Sequence, residues 1–124
     1  MKARVLVVDD DRLVADTLCL IFRANGFDSE ARYSAAAGFE YAQSYAPAMV
    51  LCDVTMPEES GLQLARRVRE AMPETRLLML TAYPANAAEV RDHEHTLKTP
   101  LKLLSKPCRP EDLLRETRSL LQSA

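Results

Sequence analysis

Four short apolar runs in this 124-residue chain end on side chains able to do chemistry. Asp9 and Asp10 follow residues 5–8 (VLVV), Asp53 follows residues 49–52 (MVLC), Thr81 follows residues 77–80 (LLML), and Ser105 and Lys106 follow residues 101–104 (LKLL). Three carboxylates brought to one place repel one another unless a cation joins them. An oxygen-only cluster of that kind suits a hard cation such as Mg²⁺, which keeps several of its waters and takes few protein ligands. A lysine and a hydroxyl opposite the metal suit a phosphoryl group, whose charge the two cations neutralise. A carboxylate of the cluster is then a candidate nucleophile for an acyl phosphate.

For those residues to meet, the runs must lie side by side in one direction. A fifth, less apolar run at residues 29–33 joins them as a strand candidate, and helical periods lie between the strands. Val14, Leu18, Ile21 and Phe22 mark the first helix, which Gly26 punctuates; Ala36, Phe39 and Ala42 mark a second over residues 34–45. Leu64, Ala65, Val68 and Met72 mark a third that stops at Pro73. Ala87, Val90 and Leu97 mark a fourth over residues 83–97, and Leu113, Leu114, Thr117, Leu120 and Leu121 mark the last. Alternating strands and helices, with strands apolar enough to be covered on both faces, predict a parallel sheet flanked by helices. In an open sheet of that kind ligands bind outside the carboxyl ends of the strands. Three carboxylates, a hydroxyl and an ammonium then share one rim.

The motifs Val7-Val8-Asp9-Asp10, Asp53-Val54-Thr55-Met56-Pro57 followed by Gly61, Thr81-Ala82, and Lys106-Pro107, in that order, resemble the receiver domain of two-component response regulators. The resemblance covers essentially the whole chain. It implies one α/β domain over residues 1–124, a doubly wound five-stranded parallel sheet of flavodoxin-like order 2-1-3-4-5, with helices on both faces. It implies that Asp53 is the phosphoacceptor, that Asp9, Asp10 and Asp53 hold Mg²⁺ with a backbone carbonyl from Thr55, and that Thr81 and Lys106 contact the phosphoryl oxygens. The Lys106–Pro107 bond is then expected to be cis. The implied activity is a phosphorylation-controlled switch that promotes its own phosphotransfer and dephosphorylation. Its donor would be a sensor histidine kinase or phosphotransfer protein, its output protein or domain is unspecified, and a phosphorylation-dependent dimer is compatible with the family. The residues two places after Asp53 and Thr81, here Thr55 and Tyr83, would tune the lifetime of the phosphoryl group.

Three departures touch signal output. Leu103 stands where the family usually has an aromatic, Cys108 replaces a common phenylalanine, and residues 91–100 are polar and lack the usual Gly-Ala before the last strand. Signalling is therefore expected to depend more on residues 82–102. Two other readings stay open: an enzyme that also forms an aspartyl phosphate, which would want an aspartate at position 55, and a receiver-like binding module that has lost phosphorylation.

Composition bounds these readings. With 48% apolar and 27% charged residues the chain is an ordinary globular one. Its longest uncharged stretches, residues 41–52 and 77–88, are too short to span a bilayer. Its amino end leads through four apolar residues into three aspartates and does not read as a secretory signal, so a cytoplasmic protein is expected. The three cysteines form no C-x-x-C pair, and Cys52 reads as a small buried hydrophobe. Residues 1–62 carry five basic and ten acidic groups and residues 63–124 eleven and eight, which is too dilute for direct nucleic-acid binding. Asp11 reads as a helix cap, His93 and His95 as solvated, and Arg66, Arg67 and Arg69 as the wet face of the third helix.

Overall fold

The structure, a computed structural model, describes residues 2–82 and 102–122. The expected helix over residues 83–97, with His93, His95 and Tyr83, and the polar segment 91–100 lie outside the described residues. The elements are β1 (Arg4–Val8), α1 (Arg12–Ala24), β2 (Asp28–Arg32), α2 (Ala35–Tyr45), β3 (Met49–Asp53), α3 (Gly61–Ala71), β4 (Arg76–Thr81), β5 (Lys102–Ser105) and α4 (Pro110–Gln122). The strands form one sheet in the order β2-β1-β3-β4-β5 with every neighbour parallel, as expected.

Alternation along the central strands sorts their side chains into two cores. Val5 and Val7, Met49 and Leu51, and Leu78 and Leu80 face α1 and α4, where they meet Leu18, Phe22, Leu113 and Leu120. Leu6 and Val8, Val50 and Cys52, and Leu77 and Met79 face α2 and α3, where they meet Ala42, Leu64 and Val68. The strands are apolar without interruption because helices cover both sides. β1, β3 and β4 are almost wholly buried, whereas β2 and the four-residue β5 are only partly so.

Local chemistry sets the helix ends. Asp11 caps α1 by accepting from the Val14 amide, as its place in the sequence suggests, and the chain leaves α1 through Gly26 at φ 91°. Ser34 caps α2 and Ser60 caps α3.

Two expectations need correction. On α2 the buried face is Ala35, Gly38 and Ala42, while Ala36 is exposed. A Cβ at Gly38 would lie 2.7 Å from Val8 Cγ2, so the helix turns Gly38, and not Ala36, toward the sheet. On α3 only Arg66 is a fully wet arginine: Arg67 lies over the Phe39 ring, and Arg69 bonds the Pro73 carbonyl.

Candidate functional site

Parallel strands with this register bring their carboxyl ends to one rim. Val8 lies beside Cys52, and Asp53 beside Leu80. The residue after β1 and the last residue of β3 therefore come out as neighbours. Asp9 (1% exposed) and Asp53 (9%) are buried, and Asp10 is exposed at the edge of the same opening. One carboxylate oxygen from each of the three lies within 4.8 Å of the others.

Lys106 closes the group from the far side. Its Nζ donates to Asp9 Oδ2 at 2.8 Å and to Asp53 Oδ2 at 3.2 Å. Its amide donates to the Thr81 carbonyl at 2.7 Å, which ties the end of β5 to the end of β4. Thr81 is buried at that junction, the Lys106–Pro107 bond is cis as expected, and Ser105 ends β5 exposed.

The other oxygens are held by backbone. The Asp11 amide donates to Asp9 Oδ1 at 3.0 Å, and the Thr55 amide donates to Asp53 Oδ1 at 3.2 Å, with the Thr55 side chain exposed. Asp9, Asp10, Asp53 and Lys106 thus bring their side chains together, and Thr55 and Thr81 join them through main-chain hydrogen bonds. Two contacts carry no sequence signal of their own. The Asp9 amide donates to the Arg32 carbonyl, and the Cys52 thiol, buried as expected, donates to the Asp53 carbonyl at 3.3 Å. Gly61, which the Asp53 motif includes, also meets the site: an added Cβ there would lie 2.0 Å from the Asp53 carbonyl oxygen. A glycine opening a helix behind an acidic loop is the signal that could have revealed this close approach.

Burial pushes the Asp53 carboxyl above the ordinary carboxylate range; the Lys106 ammonium pulls it back, and the Asp9 carboxylate adds to the rise. Burial disfavours the Lys106 ammonium, yet its bond to Asp9 and the charges of both carboxylates hold its pKa above the usual lysine value. Burial also keeps the Cys52 thiol protonated, with Asp53 and Asp9 reinforcing it. Three carboxylates against one ammonium leave the ionised cluster short of positive charge, and its donors are oxygen only. That set fits a hard divalent cation.

Comparison with known proteins agrees with the geometry. Residues 5–118 match the family described as the response regulator receiver domain. The chain belongs to that family. This receiver domain is 32% identical over 122 residues to the response regulator MprA of Mycobacterium ulcerans, covering 98% of the chain and 51% of that protein. It is 34% identical over 86 residues to the photosynthetic apparatus regulatory protein RegA of Rhodobacter capsulatus, covering 69% of the chain and 47% of that protein. The chain spans about half the length of the curated relatives it matches. Its fold is that of a CheY-like receiver domain protein from Methanospirillum hungatei, with TM-score 0.88 at 24% identity over 98% of this chain and 94% of that one. Receiver domains are regulatory modules of two-component signalling. Among the described residues no helix is long and apolar enough to cross a membrane.

Proposed function

We propose that this receiver domain accepts a phosphoryl group on Asp53 from a phosphohistidine of a sensor kinase or phosphotransfer protein, in the cytoplasm, and so acts as a switch. The observation that carries the reading is Lys106 Nζ within hydrogen-bond reach of both Asp9 and Asp53, beside a third carboxylate. Asp9, Asp10, Asp53 and the Thr55 carbonyl would hold Mg²⁺, which supplies charge neutralisation when bound.

The rest follows from the chain's own groups. Lys106 and the Thr55 amide fix the two oxygens of Asp53, which aims the carboxylate outward from the end of β3. In transfer an Asp53 oxygen forms the new O–P bond while the P–N bond breaks, and the imidazole leaves with the electron pair. Lys106 turns from Asp53 toward the phosphoryl oxygens, and Thr81 approaches them from β4. Burial of Asp9 and Asp53 restricts the approach of water, which would lengthen the life of an acyl phosphate on Asp53. A groove of about 590 Å³ beside Lys106, lined by Leu13, Ile21 and Cys108 among others, gives the donor protein an apolar surface next to the opening.

The test is Mg²⁺-dependent labelling by a small acyl phosphate. Wild type is expected to gain one phosphoryl group, Asp53→Asn none, and Asp10→Ala to lose Mg²⁺ binding and with it the labelling that the metal supports. With Mg²⁺ and beryllofluoride, amide resonances of Asp9, Thr81 and Lys106 should shift; if they stay put at saturation, the reading is wrong. A phosphohydrolase of the related chemistry would consume many equivalents of donor per chain because its label on Asp53 is lost as fast as it turns over, and a phosphorylation-independent module would take no label at all.

A further inference from the structure

The loop between β3 and α3 presents Thr55 to Asp53, and its route is unusual. Glu58 sits at φ 67°, a left-handed conformation that an L residue with a long side chain takes only when its surroundings hold it there. The next residue, Glu59, is thereby turned back toward α3, where its Oε1 accepts from Arg67 Nη1 at 2.5 Å. The Arg67 guanidinium in turn lies 4.2 Å from the centre of the Phe39 ring on α2. Phe39 packs partly buried against the core on that side of the sheet, and its neighbour Gly38 comes close to Val8, the residue before Asp9. An unbroken series of contacts therefore runs from the strand that delivers Asp9, across α2 and α3, to the loop that follows Asp53.

We propose that Arg67 is a positioning residue for this centre: stacked on Phe39, it holds Glu59, and through Glu59 it holds the loop that offers the Thr55 backbone to Asp53 and its cation. The proposal rests on the phosphoacceptor reading of Asp53. A guanidinium suits the place because its flat face stacks on a ring while its edge donates to a carboxylate, which a lysine ammonium cannot do at once. A merely solvated arginine would need neither contact.

Two readouts test it on the full chain: hydrogen exchange at the Thr55 amide, which needs no metal, and Mg²⁺ affinity from NMR titration. Arg67→Met keeps an unbranched stem over Phe39 without the charge, and Glu59→Gln removes its partner. Each is expected to speed Thr55 exchange and weaken Mg²⁺ binding by roughly two- to fivefold, the size a half-exposed ion pair can hold. The double variant should be no worse than either single one, and the reversed pair, Glu59→Arg with Arg67→Glu, should recover most of the loss. Unchanged exchange and affinity in the single variants overturn the proposal, and so does a loss that only follows a lowered melting temperature. Should Arg67→Met fail to fold, Glu59→Gln decides alone, since it alters only a loop carboxyl. A wild-type chain that takes no phosphoryl group would remove the phosphoacceptor reading instead, and Thr55 exchange would still judge the clamp.

Discussion

Lys106 holds together two buried acids that repel each other, and its behaviour with pH follows from that. Its pKa is raised in the fold, so its contribution to stability is complete below the ordinary lysine value and disappears as alkali takes the pH through the folded value. Lys106→Met should therefore unfold at lower urea than wild type at neutral pH, and the gap between the two midpoints should close in strong alkali. Asp53 also favours the fold toward lower pH, but for a different reason. Its raised pKa means that the ionised carboxylate costs the fold stability, a cost relieved as acid protonates it. Without added divalent cation, Asp53→Asn should then melt at or above the wild-type temperature at neutral pH, with the advantage shrinking toward acid pH. A lower melting temperature throughout would mean that the Lys106–Asp53 contact outweighs the burial of the charge. Asp9, Asp10, Asp53, Thr81 and Lys106 were legible in the sequence because each follows or ends an apolar run, and a parallel sheet gathers strand ends. The role of Arg67 was not, because a guanidinium over a ring 28 positions away leaves no trace in local periodicity.

The start of α3 is the element on which the acceptor loop turns. Ser60 and Gln63 cap it reciprocally, the Ser60 side chain accepting from the Gln63 amide and the Gln63 side chain from the Ser60 amide. Ser60→Ala should cost about 1 kcal/mol in urea unfolding. Gly61→Ala is a harsher change, because the new methyl would run into the Asp53 carbonyl rather than into a side chain able to move aside. It should destabilise by about 1–3 kcal/mol, as overpacking does, and impair labelling of Asp53 beyond what the stability loss explains. Normal labelling in a folded Gly61→Ala protein would show that β3 can shift without disturbing its aspartate. Element types could be read from periodicity, whereas bounds and faces moved by a residue or so. β2 begins at Asp28 instead of residue 29, and α2 turned because Gly38 permits a closer approach than Ala36. Such choices depend on what lies across the interface, which the segment's own sequence does not record.

At the scale of the whole molecule the sheet separates two cores, and both must be intact for the rim to keep its shape. Leu78, fully buried between β4's neighbours and the α1 and α4 side, is the plainest probe. Leu78→Ala should cost about 2–5 kcal/mol while labelling of Asp53 survives in the fraction that stays folded. A parallel sheet covered on both sides was legible because both faces of the central strands are apolar, whereas the order 2-1-3-4-5 came from the resemblance to the receiver family. Output was less so: Leu103 packs partly buried on the α2 and α3 side, and Leu103→Tyr is expected to leave phosphorylation intact. The unequal burial of the strands has a further consequence. Asp9 and Asp53 are rooted at the ends of β1 and β3, in the middle of the sheet, whereas Lys106 follows β5, a four-residue edge strand whose first and last residues are exposed. Edges open more readily than centres. The acids are anchored in the frame and the base on its least buried strand, so any local parting of β5 from β4 would separate Lys106 from both carboxylates before β1 and β3 are disturbed.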